Sequence, residues 1–287
     1  MPTIGADLCT LTINPDLAGV GVRVAFYVEA LLCIVCAPFI SDPKLWISLA
    51  RWSLFYNLCL LLSTIILLKT SQNISLVDGL VVTTLSSLSD VAVYNAVIWK
   101  EADTSAKTLR LALFSNSLVY YVLGITVWAS APIFGLSSDC HTNAHVVFAL
   151  IGFPVRATVL WLRVLMITLM SLGLLIAAIG FMSGSDLKLP PFMSIAFSRH
   201  GNSESLKRWL LAATMPLSVA TCVLTIVTTE RTLSVNGLRN GTVQWTLGQL
   251  MAVLLLGHPI GEIVTKVFSI YFSEKKHGNC NCGFSMA

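Results

Sequence analysis

The sequence predicts an all-α fold: a bundle of seven transmembrane helices, N-terminus outside and C-terminus cytosolic. Three observations predict it. Apolar residues make up 55% of the 287, charged residues only 11%, and the mean hydropathy is +0.80, a composition outside the range of soluble domains. Apolar runs of about 20 residues or more, each long enough to cross about 30 Å of hydrocarbon as a helix, recur along the chain between short polar links. Lysine and arginine collect in alternate links, as the positive-inside rule requires of cytosolic loops.

The first span is expected at 17–40, where an apolar run nevertheless contains Arg23 and Glu29. Asn14 and Pro15 bring the chain in through an extended turn, and Asp16 is placed to cap the first free amides. Gly19 and Gly21 remove side chains where a neighbouring backbone can come close. A turn holding Pro43 leads to a second span at 46–68, and a polar link to a third at 76–99. The fourth is expected at 109–131. The segment 145–182 is too long for one crossing, so Pro154 is expected to divide an interfacial piece from a spanning piece starting near Ala157. A polar loop, 183–207, contains Pro190 and Pro191 and reads as a connection without its own fold. The sixth span is expected at 208–229 with a kink at Pro216, and the seventh at 243–272. Three regions result: a short external N-terminus at 1–16, a membrane domain at 17–272 and a cytosolic tail at 273–287. No internal repeat or second domain is visible.

The inner links of this arrangement hold Lys44, Arg51, Lys100, Lys107, Arg110, Lys188, Arg199, Lys207, Arg208, Lys275 and Lys276, and the outer ones only Lys69, Arg231 and Arg239. Two glycosylation acceptors, Asn73 and Asn240, both fall on outer links, in agreement with that orientation. The first 16 residues contain no Lys or Arg, so a cleavable signal is not expected and the first span serves as its own insertion signal.

Among the eight cysteines, Cys33, Cys36, Cys59 and Cys222 lie in spans and read as small packing residues. Cys9 and Cys140 both fall on the oxidising side and are expected to form a disulfide. Cys280 and Cys282, near Lys275 and Lys276, fit either S-acylation or a plain tail.

Ionisable residues inside spans carry the functional information, because each costs roughly 2.5–3.5 kcal/mol at a helix centre and therefore faces the bundle interior. Arg23, Asp78, Arg156 and Arg163 fall in the outer half, and Glu29 and Asp90 near or below the midplane. His258 and Glu262 lie toward the inner end of the seventh span. The bland assignments are an Arg23–Asp78 pair and a Glu262–Lys266 pair at helical spacing. Asn57, Asn95, Asn116 and Gln249 are neutral partners for the rest. Lys266 lies too near the cytosolic end for a retinal Schiff base. The set Asp139, His141 and His145 is too small to argue a metal site, and no motif asks for a cofactor. Glu29 and Asp90 are the candidate catalytic groups, since a carboxylic acid in apolar surroundings holds its proton and can deliver it to a lipid-soluble substrate.

At 14–24 (NPDLAGVGVRV), 140–148 (CHTNAHVVF), 229–237 (TERTLSVNG) and 245–250 (WTLGQL) the chain resembles a large group of uncharacterised fungal seven-helix membrane proteins, especially from mushroom-forming fungi. That resemblance implies the span count and supplies no activity. In span number and size the chain is similar to fungal membrane-bound terpene cyclases, which protonate an epoxide or alkene with an intramembrane acid. In orientation it is similar to seven-helix receptors, although the third span ends YNAVIWKEAD and the seventh reads GHPIGEI, without the receptor signatures.

Three function classes follow. The preferred one is a membrane-embedded enzyme using general acid catalysis on a lipophilic substrate, terpenoids being one class, with Glu29 and Asp90 as acids and Tyr27, Trp99, Tyr120 and Trp245 as cation-stabilising aromatics. The alternative is a receptor-like sensor that signals through its inner loops to a cytosolic partner. The third is a transporter, disfavoured by the odd span number and lack of repeats. The partners expected are the bilayer and a lipophilic small molecule rather than nucleic acid, in the endoplasmic reticulum or plasma membrane.

Overall fold

The computed structural model describes residues 13–36, 42–70, 74–98, 106–135, 142–182, 204–238 and 245–278. Long helices dominate. A one-turn helix α1 (Pro15–Ala18) leads into α2 (Val20–Cys36), followed by α3 (Pro43–Thr70), α4 (Leu76–Ile98) and α5 (Ala106–Ala129). A hairpin of β1 (Val147–Leu150) and β2 (Phe153–Arg156) precedes α6 (Leu160–Met182), α7 (Glu204–Val235) and α8 (Leu247–Gly278). Six helices among the described residues are long and apolar enough to cross a membrane: Pro15–Cys36, Lys44–Thr70, Leu76–Val93, Leu111–Ala129, Leu160–Ile179 and Leu247–Ser269. The protein is therefore read as multi-pass. The stretch expected as a sixth span, 208–229, lies within α7, whose 32 residues make it as long as α8.

Local chemistry explains the helix starts. Asn14, not Asp16, caps the first turn: its side chain accepts from the Asp16 amide at 3.0 Å and Pro15 follows at the first helical position. Gly19 is extended (φ −68, ψ 163) and separates α1 from α2. At the start of α4, Ser75 and Asp78 form a capping box, with the Ser75 amide donating to Asp78 Oδ2 at 2.9 Å and the Asp78 amide to Ser75 Oγ at 3.2 Å. The α7 helix runs past Thr229 to Val235 because its Thr229–Ser234 segment still has partners to bury against, Thr229 and Thr232 being 1% exposed.

The hairpin corrects the purely helical expectation. The piece expected to precede the spanning helix is this hairpin, with Pro154 in β2, paired with Ala149, and the helix α6 beginning at Leu160. The turn at Ile151 (φ 50) and Gly152 (φ 85) has both central residues left-handed, which matches the twist of a two-residue hairpin. Asn236, in the turn directly after α7, clamps β1, accepting from the Val147 amide at 3.0 Å and donating to the Val147 carbonyl at 2.7 Å. Edge amides that a lone two-stranded ribbon would leave open are thus satisfied at the C-terminal end of a helix.

In the bundle α4 is central, packed against α2, α3, α5 and α7, whereas α6 packs chiefly on α5. Burial follows position: 83% of the apolar window of α4 is inside the protein against 11% for α6. The apolar core forms two clusters. One, at the end that carries Asn14, contains Leu17, Phe26, Leu80, Val127, Trp128 and Phe148. The other, toward the opposite end, contains Ile34, Trp46, Leu49, Leu88, Val93 and Cys222.

Candidate functional site

Small polar residues occupy the level between the two apolar clusters. On α2 stands Glu29, on α3 Ser53 and Asn57, on α4 Ser86, Ser89 and Asp90, and on α5 Asn116 and Ser117, each 7% exposed or less. Two chains of contacts link six of them. The hydroxyls of Ser53 and Ser89 are 2.9 Å apart, and Ser53 is also the hydrogen-bonding partner of Glu29. Asn57 Nδ2 donates to Asn116 Oδ1 at 3.3 Å, and Asn116 Nδ2 donates to Asp90 Oδ1 at 3.1 Å. The two predicted acids thus enter one polar layer from opposite sides, Glu29 from α2 and Asp90 from α4.

Glu29 lies one turn along α2 from Phe26, which lines a groove at the surface of the bundle. This groove, of about 480 Å³, opens between α2, α3 and α8, walled by apolar side chains such as Leu60, Met251 and Leu255. Asp16 and Gly248 lie at its Asn14 end, and Phe26 and Tyr56 close the inner part with their rings stacked at 4.7 Å. The Tyr56 hydroxyl is buried and has no hydrogen-bond partner among the described residues. A hydroxyl in that state is costly unless something arrives to bond it, by about 1–3 kcal/mol.

The groove exists because of the glycines near the start of α2. Gly21 N donates to Gln249 Oε1 at 3.0 Å, and a Cβ on Gly21 would lie 2.8 Å from the Gln249 Cβ and 2.9 Å from its carbonyl oxygen. Thr246 donates to Asp16 at 2.5 Å beside it. Close approach at this end fixes α8 against α2, as the small residues foretell.

The other predicted site residues are placed as follows. Arg23 is buried and reaches Glu230 of α7, whose other donor is the Tyr27 hydroxyl at 3.0 Å; Arg23 Nε also donates to the Ala18 carbonyl at 3.1 Å. Asp78 accepts the Asn14 amide at 2.9 Å in addition to its Ser75 contacts. The expected Arg23–Asp78 pair is therefore replaced by two arrangements, because the capping amides already fill Asp78 and Glu230 supplies the counter-charge. Glu262 and Lys266 likewise part: Lys266 binds Asp42 at 2.5 Å, and Glu262 accepts from Ser48 at 2.9 Å. His258 stacks on Trp52 at 4.5 Å and stands 3.8 Å from Glu262, on the α3–α8 flank. Arg156 is exposed on β2, not on a helix. Arg163 bonds the carbonyls of Trp128 and Ala129 at the end of α5. Of the aromatics, Tyr120 is buried and Trp245 is 62% exposed. Trp99, the expected disulfide of Cys9 and Cys140, and the acceptors Asn73 and Asn240 lie outside the described residues. The described cysteines, Cys33, Cys36, Cys59 and Cys222, are free.

Glu230 and Tyr56 are the residues that sequence reasoning missed. Glu230 was readable as a second acid, besides Asp78, near the depth of Arg23, and Tyr56 as a phenol adjoining Asn57 inside an apolar span.

Compared with known proteins, the chain matches no protein-family model, no curated protein and no solved structure. Site geometry alone therefore carries the functional argument.

Proposed function

We propose that this multi-pass protein is a seven-span membrane enzyme, N-terminus outside, which draws a lipophilic substrate from the bilayer into the groove between α2, α3 and α8. Glu29 is its general acid and Tyr56 its positioning group. The observation that carries the reading is the buried Tyr56 hydroxyl, without a partner among the described residues, at the inner part of an apolar groove that Phe26, one turn from Glu29 on α2, also lines.

The chemistry follows from the surroundings. The neutral carboxyl of Glu29 gives its proton to an alkene carbon or an epoxide oxygen of the substrate; a C–H or O–H bond forms and the carboxylate remains. The cation so produced is held by the faces of Phe26 and Tyr56, which attract positive charge, until loss of a neighbouring proton returns Glu29 to its acid form. Water is scarce between the apolar walls, so the cation is not quenched. A terpenoid, being apolar with few functional groups, suits such a groove. Asp90 is set apart from this chemistry, because its contact runs to Asn116 of α5, whereas Glu29 stands one turn from the groove residue Phe26 on α2.

The test compares lipid extracts of cells expressing wild type, Glu29→Gln and Cys59→Trp, all inserted at equal levels. Cys59 lines the groove one turn from Tyr56, so tryptophan there fills the space without touching the acid. The reading expects a lipophilic product with wild type alone. Identical extracts under substrate-rich conditions would remove the enzyme and favour the receptor-like alternative.

A further inference from the structure

The polar layer contains a second arrangement that the proposed catalysis leaves unused. Asp90 Oδ1 is taken by Asn116, but Asp90 Oδ2, Asn57 Oδ1 and Ser86 Oγ are all buried without a partner among the described residues. The three residues are 7%, 0% and 0% exposed. Ser86 and Asp90 are four apart on α4 and so share one face of that helix, about 5–6 Å between their β-carbons. Asn57 reaches the same place from α3 through Asn116, which donates to Asp90 and accepts from Asn57. The free Oδ2 of Asp90 thus has two further bare oxygens near it, Ser86 Oγ one turn away on the same face of α4 and Asn57 Oδ1 of α3, while Asn116 fixes the other carboxylate oxygen.

We propose that this cluster is a binding site for a small monovalent cation, sodium, held by Asp90, Asn57 and Ser86. Charge selects the valence. One carboxylate neutralises one positive charge, whereas a divalent ion would leave a net charge in the apolar core, where unpaired charge is costly. Donor type selects the class. Carboxylate, amide carbonyl and hydroxyl are hard oxygen ligands, without the imidazole or thiolate that softer metals prefer. A single proton on Asp90 would satisfy one further acceptor, while a cation is met by all three oxygens at once. The site joins α3, α4 and α5 at the middle of the bundle, so occupancy locks their relative positions. It is independent of Glu29 and the groove.

The experiment is thermal unfolding of the purified full chain in detergent, followed by helical circular dichroism, with NaCl titrated against N-methylglucamine chloride at constant ionic strength. Saturating sodium is expected to raise the wild-type Tm by about 2–4 °C, the size that binding at about ten times Kd gives a chain of this length. Asp90→Asn, which keeps shape and removes charge, should show the same Tm in both salts, and Ser86→Ala should move the sodium midpoint to higher concentration. If Asp90→Asn is found without native helix content, Ser86→Ala and Asn57→Ala decide by their midpoints. Equal Tm values in both salts for wild type, a sodium shift retained in Asp90→Asn, or midpoints unmoved in Ser86→Ala and Asn57→Ala would overturn the proposal.

Discussion

Glu29 and Asp90 are both acids in the middle of a helix, both at least nine-tenths buried, and both among small polar neighbours. They differ in what lies on their far side. Glu29 stands on α2 one turn from Phe26, which lines an apolar groove between helices. Asp90 stands on α4, the most enclosed helix, accepts from the Asn116 amide of α5, and keeps its other oxygen without a partner among the described residues. On the two proposals made above, the acid near the groove exchanges a proton with a guest, and the enclosed acid binds a small cation. Burial alone does not give a carboxyl its role; the second shell does.

The comparison can be broken at several points. The largest effect belongs to Glu29→Gln, which is expected to lower product formation by about 100-fold or more, the usual worth of a general acid; product amount per inserted protein reads it. If instead Glu29→Gln kept full product yield, Glu29 would be a structural partner of Ser53 and the two acids would no longer differ in kind.

Removal of Glu230 by Glu230→Ala comes next. It removes the carboxylate that faces the buried Arg23 guanidinium, whose Nε still donates to the Ala18 carbonyl, and costs about 2 kcal/mol, discounted because Glu230 is itself 41% exposed. Unfolding in denaturant checks this, and Arg23→Met combined with Glu230→Ala should recover part of the loss.

Gly21→Ala should cost about 1–2 kcal/mol, since its Cβ would press on Gln249 and force α8 away from α2. It should also depress product yield, because the same displacement reshapes the groove. Loss of stability with unchanged yield would show that the groove tolerates movement of α8.

The smallest effect is at the other end of α8. Lys266 holds the Asp42 carboxyl below its ordinary range, chiefly through their hydrogen bond. A lowered folded-state value means stability that is present above the ordinary carboxylate range and lost as the pH falls through the folded value, so the window lies below about pH 4. The pair is solvent-exposed, and Lys266→Met should cost only about 0.5 kcal/mol at neutral pH. Titration of stability in low and high salt reads it, with the difference from wild type shrinking as salt rises.

Much of this was legible from sequence, in proportion to how local the cause is. The apolar runs, the breaks at Pro43 and Ser75, and the close approach at Gly21 follow from period, composition and side-chain size, and the structure has helices at each expected span. The hairpin at 147–156 was not legible as strands. Its alternation is short, and its edges are stabilised by Asn236 and Thr232, about 80 residues away. Partner choice was the least legible. Arg23 had two acids at similar depth, and only the discovery that Asp78 is consumed by the Asn14 and Ser75 amides leaves Glu230 as its counter-charge. Glu29 and Asp90 were readable as buried acids from depth alone, yet their separation into different surroundings depends on which helices adjoin α2 and α4. The stretches 14–24, 142–148, 229–237 and 245–250 converge through Gly21–Gln249, Arg23–Glu230 and Val147–Asn236 contacts. That convergence gives them a shared structural role at one end of the bundle.

The central claim is that the groove between α2, α3 and α8 admits a lipophilic molecule to Tyr56 and Glu29. A clickable long-chain alcohol bearing a diazirine, photolysed in membranes containing the protein and mapped by peptide mass spectrometry, tests it most directly. Helix α6, which presents its apolar side chains outward, supplies the background from ordinary bilayer contact. The account predicts adducts concentrated at Tyr56–Ser63 and Gly248–Leu255, falling several-fold in Cys59→Trp while labelling of α6 stays constant. Groove segments labelled no more than α6, and indifferent to Cys59→Trp, would contradict it.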